Sequence, residues 1–185
     1  PSLFKSHFRL AQVLERQGNC AQWRDVWALG AALDPDVIVV SQGFHSTFDQ
    51  QVDGRRVVVG SEEWKERYRS KLQSGIDALK AGGVRIVLLT YPCSIWRGTK
   101  TDGEEGDPVR VGQVNNVINE VAADNPGWVA TVDWGEFMCP GGKFLEQLGG
   151  TEMRPDGTHL STASAPIASR WLMPRVMSAA QRPVL

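Results

Sequence analysis

The sequence is short of three features, and each absence excludes a class of protein. No hydrophobic run approaches the roughly 18–20 residues that cross a bilayer, so the sequence predicts no transmembrane helix. The 20 Lys and Arg residues are balanced by 21 Asp and Glu, and the net charge of -1 offers no general attraction to nucleic acid. Neither a P-loop nor a Gly-x-Gly-x-x-Gly motif occurs, which argues against a nucleotide-binding domain.

Cysteine and histidine are also scarce. None of the spacings resembles a zinc site, so we expect no structural metal. The odd number of cysteines leaves one thiol free or paired outside the chain. Cys93 and Cys139 each follow the end of an expected strand by a few residues. These two residues either form a disulfide or remain a pair of buried thiols, and the sequence leaves both alternatives open. If they form the disulfide, Cys20 is the odd cysteine.

The sequence does contain the alternating pattern of an α/β protein. Its 185 residues suffice for one domain with a good-sized core. Three short, continuous apolar runs are typical of parallel strands covered on both faces: Asp36–Val40, Val84–Thr90 and Trp128–Asp133. Helical patterns separate these runs, which predicts a parallel sheet flanked by helices.

Helices are predicted over about 20–33, 61–80, 107–124 and from 161 onward, with Pro174 expected to bend or end the last. Two of them begin on good N-caps, Ser61 and Asp107, and Pro108 follows the second cap. The opening stretch FKSHFRLAQVLERQ is helical in pattern as well. Three strands also make a thin sheet for a chain of this length. We therefore expect one or two elements of the fold to be missing ahead of Pro1, and residues 1–185 to form one N-terminally incomplete domain.

The segment RPDGTHLS, from Arg154 to Ser161, carries the sharpest chemical signal. Asp156 precedes His159 by three residues across a glycine turn, so its carboxylate can reach Nδ1 of the imidazole. An imidazole held in this way can act as the general base for a nucleophile. Taken alone the motif is weak, and a plain turn followed by a half-exposed histidine is an open alternative.

A second candidate segment, SQGFHSTFD, follows the first apolar run. Gly43 can bring a backbone N–H close to an oxyanion, with Gln42, Ser41 or Ser46 as further donors. His45 is a candidate substrate-contact residue, and a simple bend after the strand is the alternative. This loop and the loop after the second run both follow strand ends, where open α/β sheets bind ligands.

The order of these segments resembles the SGNH (GDSL-like) esterase superfamily. The resemblance is carried by LDPDVIVVSQG, GVRIVLLTYPC, VDWGEFMCPGGKF and RPDGTHLSTASA, with a helix between each. More narrowly, the chain is similar to the SGNH domains fused to acyltransferase family three membrane proteins, which O-acylate envelope sugars in bacteria. The resemblance implies a flavodoxin-like three-layer α/β/α fold, and it implies that His159 and Asp156 are the catalytic histidine and its supporting carboxylate.

The chain departs from the family pattern at two motifs. No Gly-Asp-Ser occurs in the sequence, so the resemblance implies that the nucleophilic serine lies outside this chain together with the first strand. Gly43 matches the glycine of the third family motif, but His45 stands where that motif has its oxyanion asparagine.

We therefore expect acyl-ester chemistry, either O-acyl transfer or ester hydrolysis, on an acylated carbohydrate by a Ser-His-Asp mechanism without a cofactor. The alternative is a non-catalytic carbohydrate-binding or accessory domain of a membrane acyltransferase. Trp96 and Trp134 then either stack on a sugar ring or pack in the protein. The expected partner is the membrane acyltransferase domain of the same parent protein, with no nucleic acid, and the expected location is extracytoplasmic and membrane-tethered.

Overall fold

A computed structural model describes residues 10–12, 27, 30–95 and 106–181 of the protein. The described strands, in chain order, are β1 (Leu10–Gln12), β2 (Val37–Ser41), β3 (Gln50–Val52), β4 (Arg55–Val57), β5 (Arg85–Leu89), β6 (Val129–Val132), β7 (Gln147–Leu148) and β8 (Thr151–Glu152). The helices whose two ends both lie in the described residues are α1 (Glu62–Ala81), α2 (Pro108–Asp124), α3 (Trp134–Met138) and α4 (Ala165–Ala180). Two short 3₁₀ turns cover Phe44–Ser46 and Pro140–Gly142.

The main sheet has four parallel strands in the order β1-β2-β5-β6. Its last three strands coincide with the three apolar runs, so the sequence predicted them correctly. The strand β1 lies where the sequence predicted a helix, and that prediction is wrong for these three residues. Leu10 pairs with Val37 at the edge of β2, a partner 27 positions away that a local pattern cannot reveal.

Both faces of the sheet are covered by helices. Because successive residues of a strand point to opposite faces, β5 contributes Ile86 and Leu88 to one core and Val87 and Leu89 to the other. The first core is completed by α1 and α2, and the second by α3 and α4. The fold is therefore the predicted three-layer α/β/α arrangement around a parallel sheet.

The predicted caps begin two of the helices. The Oγ atom of Ser61 accepts the N–H of Trp64 at 3.3 Å, and Oδ1 of Asp107 accepts the N–H of Val109 at 2.7 Å. The last helix does not end at Pro174 but continues to Ala180, because its buried face extends past the proline. Of the predicted helix over 20–33, Trp27 and residues 30–32 are helical and Leu33 lies in a turn. Residues 20–26, 28 and 29 lie outside the described part of the chain.

Within the described part of the chain, no helix combines the length and apolarity needed to cross a membrane.

Candidate active site

Three strands of the sheet end side by side. Ser41 of β2 is paired with Leu89 of β5, and Leu89 is paired with Val132 of β6. The segments that follow these strands therefore leave from one carboxyl edge of the sheet. Every candidate residue of the described chain follows one of these strand ends or contacts a segment that does.

The segment after β5 is held by side chains from neighbouring elements. Oδ1 of Asn115 on α2 accepts the N–H of Tyr91 at 2.6 Å, and its Nδ2 donates to the Tyr91 carbonyl at 2.9 Å. The hydroxyl of Thr90 donates to Asp133 at 2.8 Å and accepts the N–H of Gly135 at 2.7 Å. Asn115 thus satisfies both backbone groups of Tyr91 from α2, while Thr90 joins the segment to the end of β6.

Cys93 and Cys139 form a disulfide, so of the two predicted alternatives the pair of free thiols is excluded. Their Cα atoms are 6.1 Å apart, and both residues are buried. The bond joins the segment after β5 to the segment after β6, as the order of the strands predicted. Cys20 lies outside the described residues.

The D-x-x-H turn is organised by the carboxylate of Asp156. One oxygen accepts the backbone N–H groups of Thr158 at 2.9 Å and His159 at 2.7 Å. The other oxygen lies 2.7 Å from Nδ1 of His159. Asp156 is thus a turn residue and the partner of the imidazole at once, so the two interpretations of the sequence are compatible.

The same hydrogen bonds determine the charge of the turn. The hydrogen bond from the His159 ring, aided by the two backbone N–H groups, lowers the pKa of Asp156 to about 2. The carboxylate is therefore ionised at neutral pH and holds the proton of the neutral imidazole on Nδ1. In that tautomer Nε2 is the basic nitrogen. The side chains of His159 and Asp156 are 68% and 49% exposed, so the pair lies at the surface of the protein.

The backbone that carries the imidazole is anchored on the side that leads into α4. The N–H of Ser161 donates to the carbonyl of Met153 at 3.2 Å, and Oγ of Ser164 donates to the same carbonyl at 2.7 Å. The hydroxyl of Ser161 donates to the carbonyl of Glu152 at 3.1 Å.

A second anchor joins the turn to the segment after β5. The N–H of Ile95 donates to the carbonyl of Gly157 at 3.1 Å. Gly157 has φ 86°, and a Cβ atom there would overlap the carbonyl of Ile95, so this close approach requires glycine. An exposed imidazole on an anchored loop suits a general base, which needs access to solvent or substrate and a fixed position.

The candidate oxyanion loop follows β2. Gly43 is buried with φ 146°, and a Cβ atom there would lie 2.6 Å from the ring of Tyr91. The Nε2 atom of Gln42 is buried and has no hydrogen-bond partner among the described residues. His45 is exposed in the 3₁₀ turn, with its ring 5.3 Å from that of Phe44. Gly43 therefore packs against the side chain of Tyr91, the second residue after β5.

The segment between this loop and α1 contains a β-hairpin, which the sequence analysis did not predict. Its Asp53–Gly54 turn closes the β3–β4 hairpin, and Asp-Gly is a strong hairpin signal that the sequence analysis overlooked. Asp49, whose side chain is 8% exposed, accepts hydrogen bonds from Arg110 at 2.8 Å and from the N–H of Val59 at 2.9 Å. These bonds and that from Arg56 outweigh burial and lower the pKa of Asp49 to about 2.

Trp134 takes the packing role of the two that the sequence left open. It is buried, and its ring centre lies 5.4 Å from that of Phe137 and 6.0 Å from that of Trp171. Trp96 lies outside the described residues. Among the residues that the structure describes, no group of three or more His, Cys, Asp and Glu side chains is placed to hold a metal ion.

Two residues of this edge were missed by the sequence analysis. Tyr91 is the neighbour of Gly43, and Arg154 is buried beneath the D-x-x-H turn. No local signal identifies either, because both acquire their positions through partners that are distant in sequence.

The sequence matches a known protein family. A family model described as "Protein of unknown function (DUF459)" matches residues 20–175. No curated protein matches the sequence.

Solved structures match over most of the chain. A candidate acylhydrolase from Bacteroides fragilis NCTC 9343 superposes with a TM-score of 0.60 at 15% identity, covering 86% of this chain and 70% of its own. A catalytic mutant of an acetylxylan esterase from Geobacillus stearothermophilus gives 0.51 at 19% identity, covering 85% of this chain and 65% of its own. A peptidoglycan O-acetylesterase gives 0.50 at 21% identity, covering 86% of this chain but 42% of its own. At these identities the likeness establishes the SGNH-type fold.

Proposed function

We propose that this chain, which belongs to the DUF459 family of proteins of unknown function, supplies two groups of a Ser-His-Asp esterase site. These groups are the general base and the carboxylate that supports it. The observation that carries the proposal is the pairing of Nδ1 of His159 with Oδ2 of Asp156 at 2.7 Å. The pair lies at the carboxyl edge of a parallel sheet whose fold is shared with acylhydrolases and acetylesterases.

The roles follow from the charges of the two side chains. A serine outside this chain attacks the acyl carbonyl, and Nε2 of His159 accepts its proton. Asp156, ionised because its pKa is lowered to about 2, keeps the imidazole in the correct tautomer and stabilises the imidazolium that forms. The imidazolium then returns the proton to the leaving alcohol, and a water or a sugar hydroxyl receives the acyl group in the second half of the reaction.

The negative charge on the carbonyl oxygen needs hydrogen-bond donors. Gly43 is the candidate backbone donor, since its lack of a side chain lets the segment after β2 lie against Tyr91. The Nε2 atom of Gln42, a donor without a partner in the described chain, is a second candidate. His45, exposed at the same loop, is the candidate contact to the substrate.

The structural neighbours support a class of substrate. Two of them are named as an acetylxylan esterase and a peptidoglycan O-acetylesterase, both of which act on acetylated carbohydrate. We therefore propose an O-acetylated carbohydrate of the cell envelope as the substrate. The resemblance to domains fused to acyltransferase family three proteins adds the proposal that a membrane acyltransferase of the same parent protein is the partner.

The proposed location is extracytoplasmic. Disulfides persist in oxidising compartments, and the Cys93–Cys139 bond joins two buried residues at the edge of the sheet that carries the site. Tethering to the membrane through the parent protein is part of the same proposal.

A fluorophosphonate probe tests the function, because it reacts with a serine only when a base activates that serine. In the full-length protein we expect one labelled serine, which peptide mapping locates outside residues 1–185, and loss of labelling in His159→Ala. Heat-denatured protein is the control for non-specific labelling. Absence of labelling in the native wild type, or equal labelling of wild type and His159→Ala, contradicts the proposal.

A further inference from the structure

Arg154 opens the RPDGTHLS segment and is only 2% exposed, whereas Asp156 and His159 are exposed. A buried guanidinium is unfavourable unless hydrogen bonds meet its charge. The partners of this side chain therefore indicate what it holds together.

Those partners lie in the two segments that follow β5 and β6. Nη1 of Arg154 donates to the carbonyl of Cys93 at 2.5 Å, and Nη2 donates to the carbonyl of Met138 at 2.8 Å. Nη2 also lies 3.5 Å from Sγ of Cys139, and the guanidinium lies 4.1 Å from the centre of the Phe144 ring. One side chain thus contacts the segment after β5, the segment after β6 and the disulfide that joins them.

The backbone of the same residue closes the turn that carries the catalytic pair. The carbonyl of Arg154 accepts the N–H of Gly157 at 2.9 Å, and the carbonyl of Gly157 accepts the N–H of Ile95 at 3.1 Å. The position of Asp156 between these two bonded residues is therefore tied to the guanidinium anchor. A shift of Arg154 would move the whole turn relative to the edge of the sheet.

We propose that Arg154 is a positioning residue: its guanidinium fixes the D-x-x-H turn against the segments that follow β5 and β6 and so sets the distance of the His159 imidazole from the attacking serine. The inference rests on the proposed function for the identity of the reaction. The anchoring itself is a separate property of the fold and can be measured separately.

The chemistry of arginine suits this role. Its planar fork presents two N–H-bearing nitrogens to two carbonyls at once, which the single ammonium of lysine cannot reproduce. Burial lowers the pKa of Arg154 to about 10, while the nearby Tyr91 and Asp156 oppose that change. The group is therefore still charged at neutral pH, and its two hydrogen bonds are charge-assisted.

The test uses Arg154→Met and Arg154→Lys in the full-length protein, with Arg175→Met as the matched control. Arg175 also donates to a backbone carbonyl, that of Trp171 at 2.9 Å, and lies 4.1 Å from the centre of an aromatic ring, but it is exposed on α4. Two quantities are compared with the wild type: kcat and KM for p-nitrophenyl acetate, and amide hydrogen exchange of residues 93–95 and 154–159.

For Arg154→Met we expect kcat to fall about 10- to 100-fold with KM changed less than about threefold, because a displaced base impairs catalysis more than binding. Exchange of both segments should accelerate about tenfold or more as the anchor is lost. Arg154→Lys should recover part of kcat, and Arg175→Met should match the wild type in both quantities.

The proposal is overturned if kcat of Arg154→Met stays within twofold of the wild-type value. It is also overturned if a smaller fraction of folded protein accounts for the whole fall in kcat. Should Arg154→Met fail to fold, Arg154→Lys decides the question with the same two quantities. A wild type without esterase activity refutes the proposed function, and the exchange comparison then still decides whether Arg154 anchors the turn.

Discussion

Nδ1 of His159 lies 2.7 Å from one oxygen of Asp156, while the other oxygen of that carboxylate accepts the backbone N–H of His159, also at 2.7 Å. The backbone and the ring of the histidine are thus fixed by one side chain. The orientation of the proposed base is encoded within four consecutive residues, and the position of those residues is set by their anchors to the sheet.

Replacing Asp156 by asparagine should keep the turn but disturb the imidazole. Asparagine can still accept the backbone N–H groups, but its amide cannot hold the proton on Nδ1 in the same way. We expect kcat for p-nitrophenyl acetate in the full-length protein to fall about 10³- to 10⁴-fold. Asp107→Asn is the matched control, since asparagine caps a helix as well as aspartate does, and it should leave kcat unchanged. Equal activities of the two variants would refute the role of Asp156.

Gly43→Ala should damage both the fold and the oxyanion loop. With φ 146° and the Tyr91 ring 2.6 Å from the new Cβ atom, an alanine is strained and displaces its neighbour. We expect the free energy of unfolding to fall by about 2–3 kcal/mol. Gly54→Ala is the control: its φ is also positive, but no atom lies within 4 Å of the new Cβ, so the loss should be nearer 1 kcal/mol. Urea unfolding that gives equal losses would contradict the packing of Gly43 against Tyr91.

Removal of the disulfide should destabilise the fold and loosen the edge that carries the site. Cys93 and Cys139 are separated by 46 positions, and closing a loop of that length stabilises a protein by about 4 kcal/mol in the chain-entropy model. The double variant Cys93→Ser, Cys139→Ser should therefore lose several kcal/mol in urea unfolding, and reductant should produce a similar loss in wild type only. If reductant also destabilised the double variant, the effect of reductant on the wild type would not come from the Cys93–Cys139 bond alone, and this would contradict the prediction.

Low pH should destabilise the loop after β2, because the carboxylate of Asp49 becomes protonated. Because the pKa of this buried carboxyl is lowered from 3.8 to about 2 in the folded protein, its stabilising contribution is complete above pH 4 and is lost as the pH falls through about 2. We expect Asp49→Asn to reduce the free energy of unfolding by about 2 kcal/mol at pH 7. The difference between wild type and variant should shrink between pH 4 and pH 2. A difference that is constant with pH would refute the assignment.

The sequence predicted those features of the fold that have local causes. The continuous apolar runs located β2, β5 and β6, and the side chains of Ser61 and Asp107 located the starts of two helices. The strand β1 was missed, because it is defined by pairing with β2, whose residues lie 27 positions further along the chain. The β3–β4 hairpin was missed although Asp53–Gly54 signals it, because its strands have three residues each and are mostly polar, so that neither forms an apolar run.

In the candidate site, too, the contacts between residues close in sequence could be predicted and the contacts between distant residues could not. The pairing of Asp156 with His159 is a contact over three residues, so the motif was sufficient to predict it. The contacts of Arg154 with Cys93 and of Tyr91 with Gly43 each join segments more than 45 positions apart. An arginine or a tyrosine in a loop carries no local sign of such a partner, and only the folded structure brings these residues together.

Turnover of p-nitrophenyl acetate by the full-length protein with His159→Ala tests the central claim most directly. We expect kcat to fall by about three orders of magnitude or more, with unchanged far-UV circular dichroism, because an activated serine loses its base. A variant that turns over the ester at the wild-type rate would show that this imidazole takes no part in the reaction.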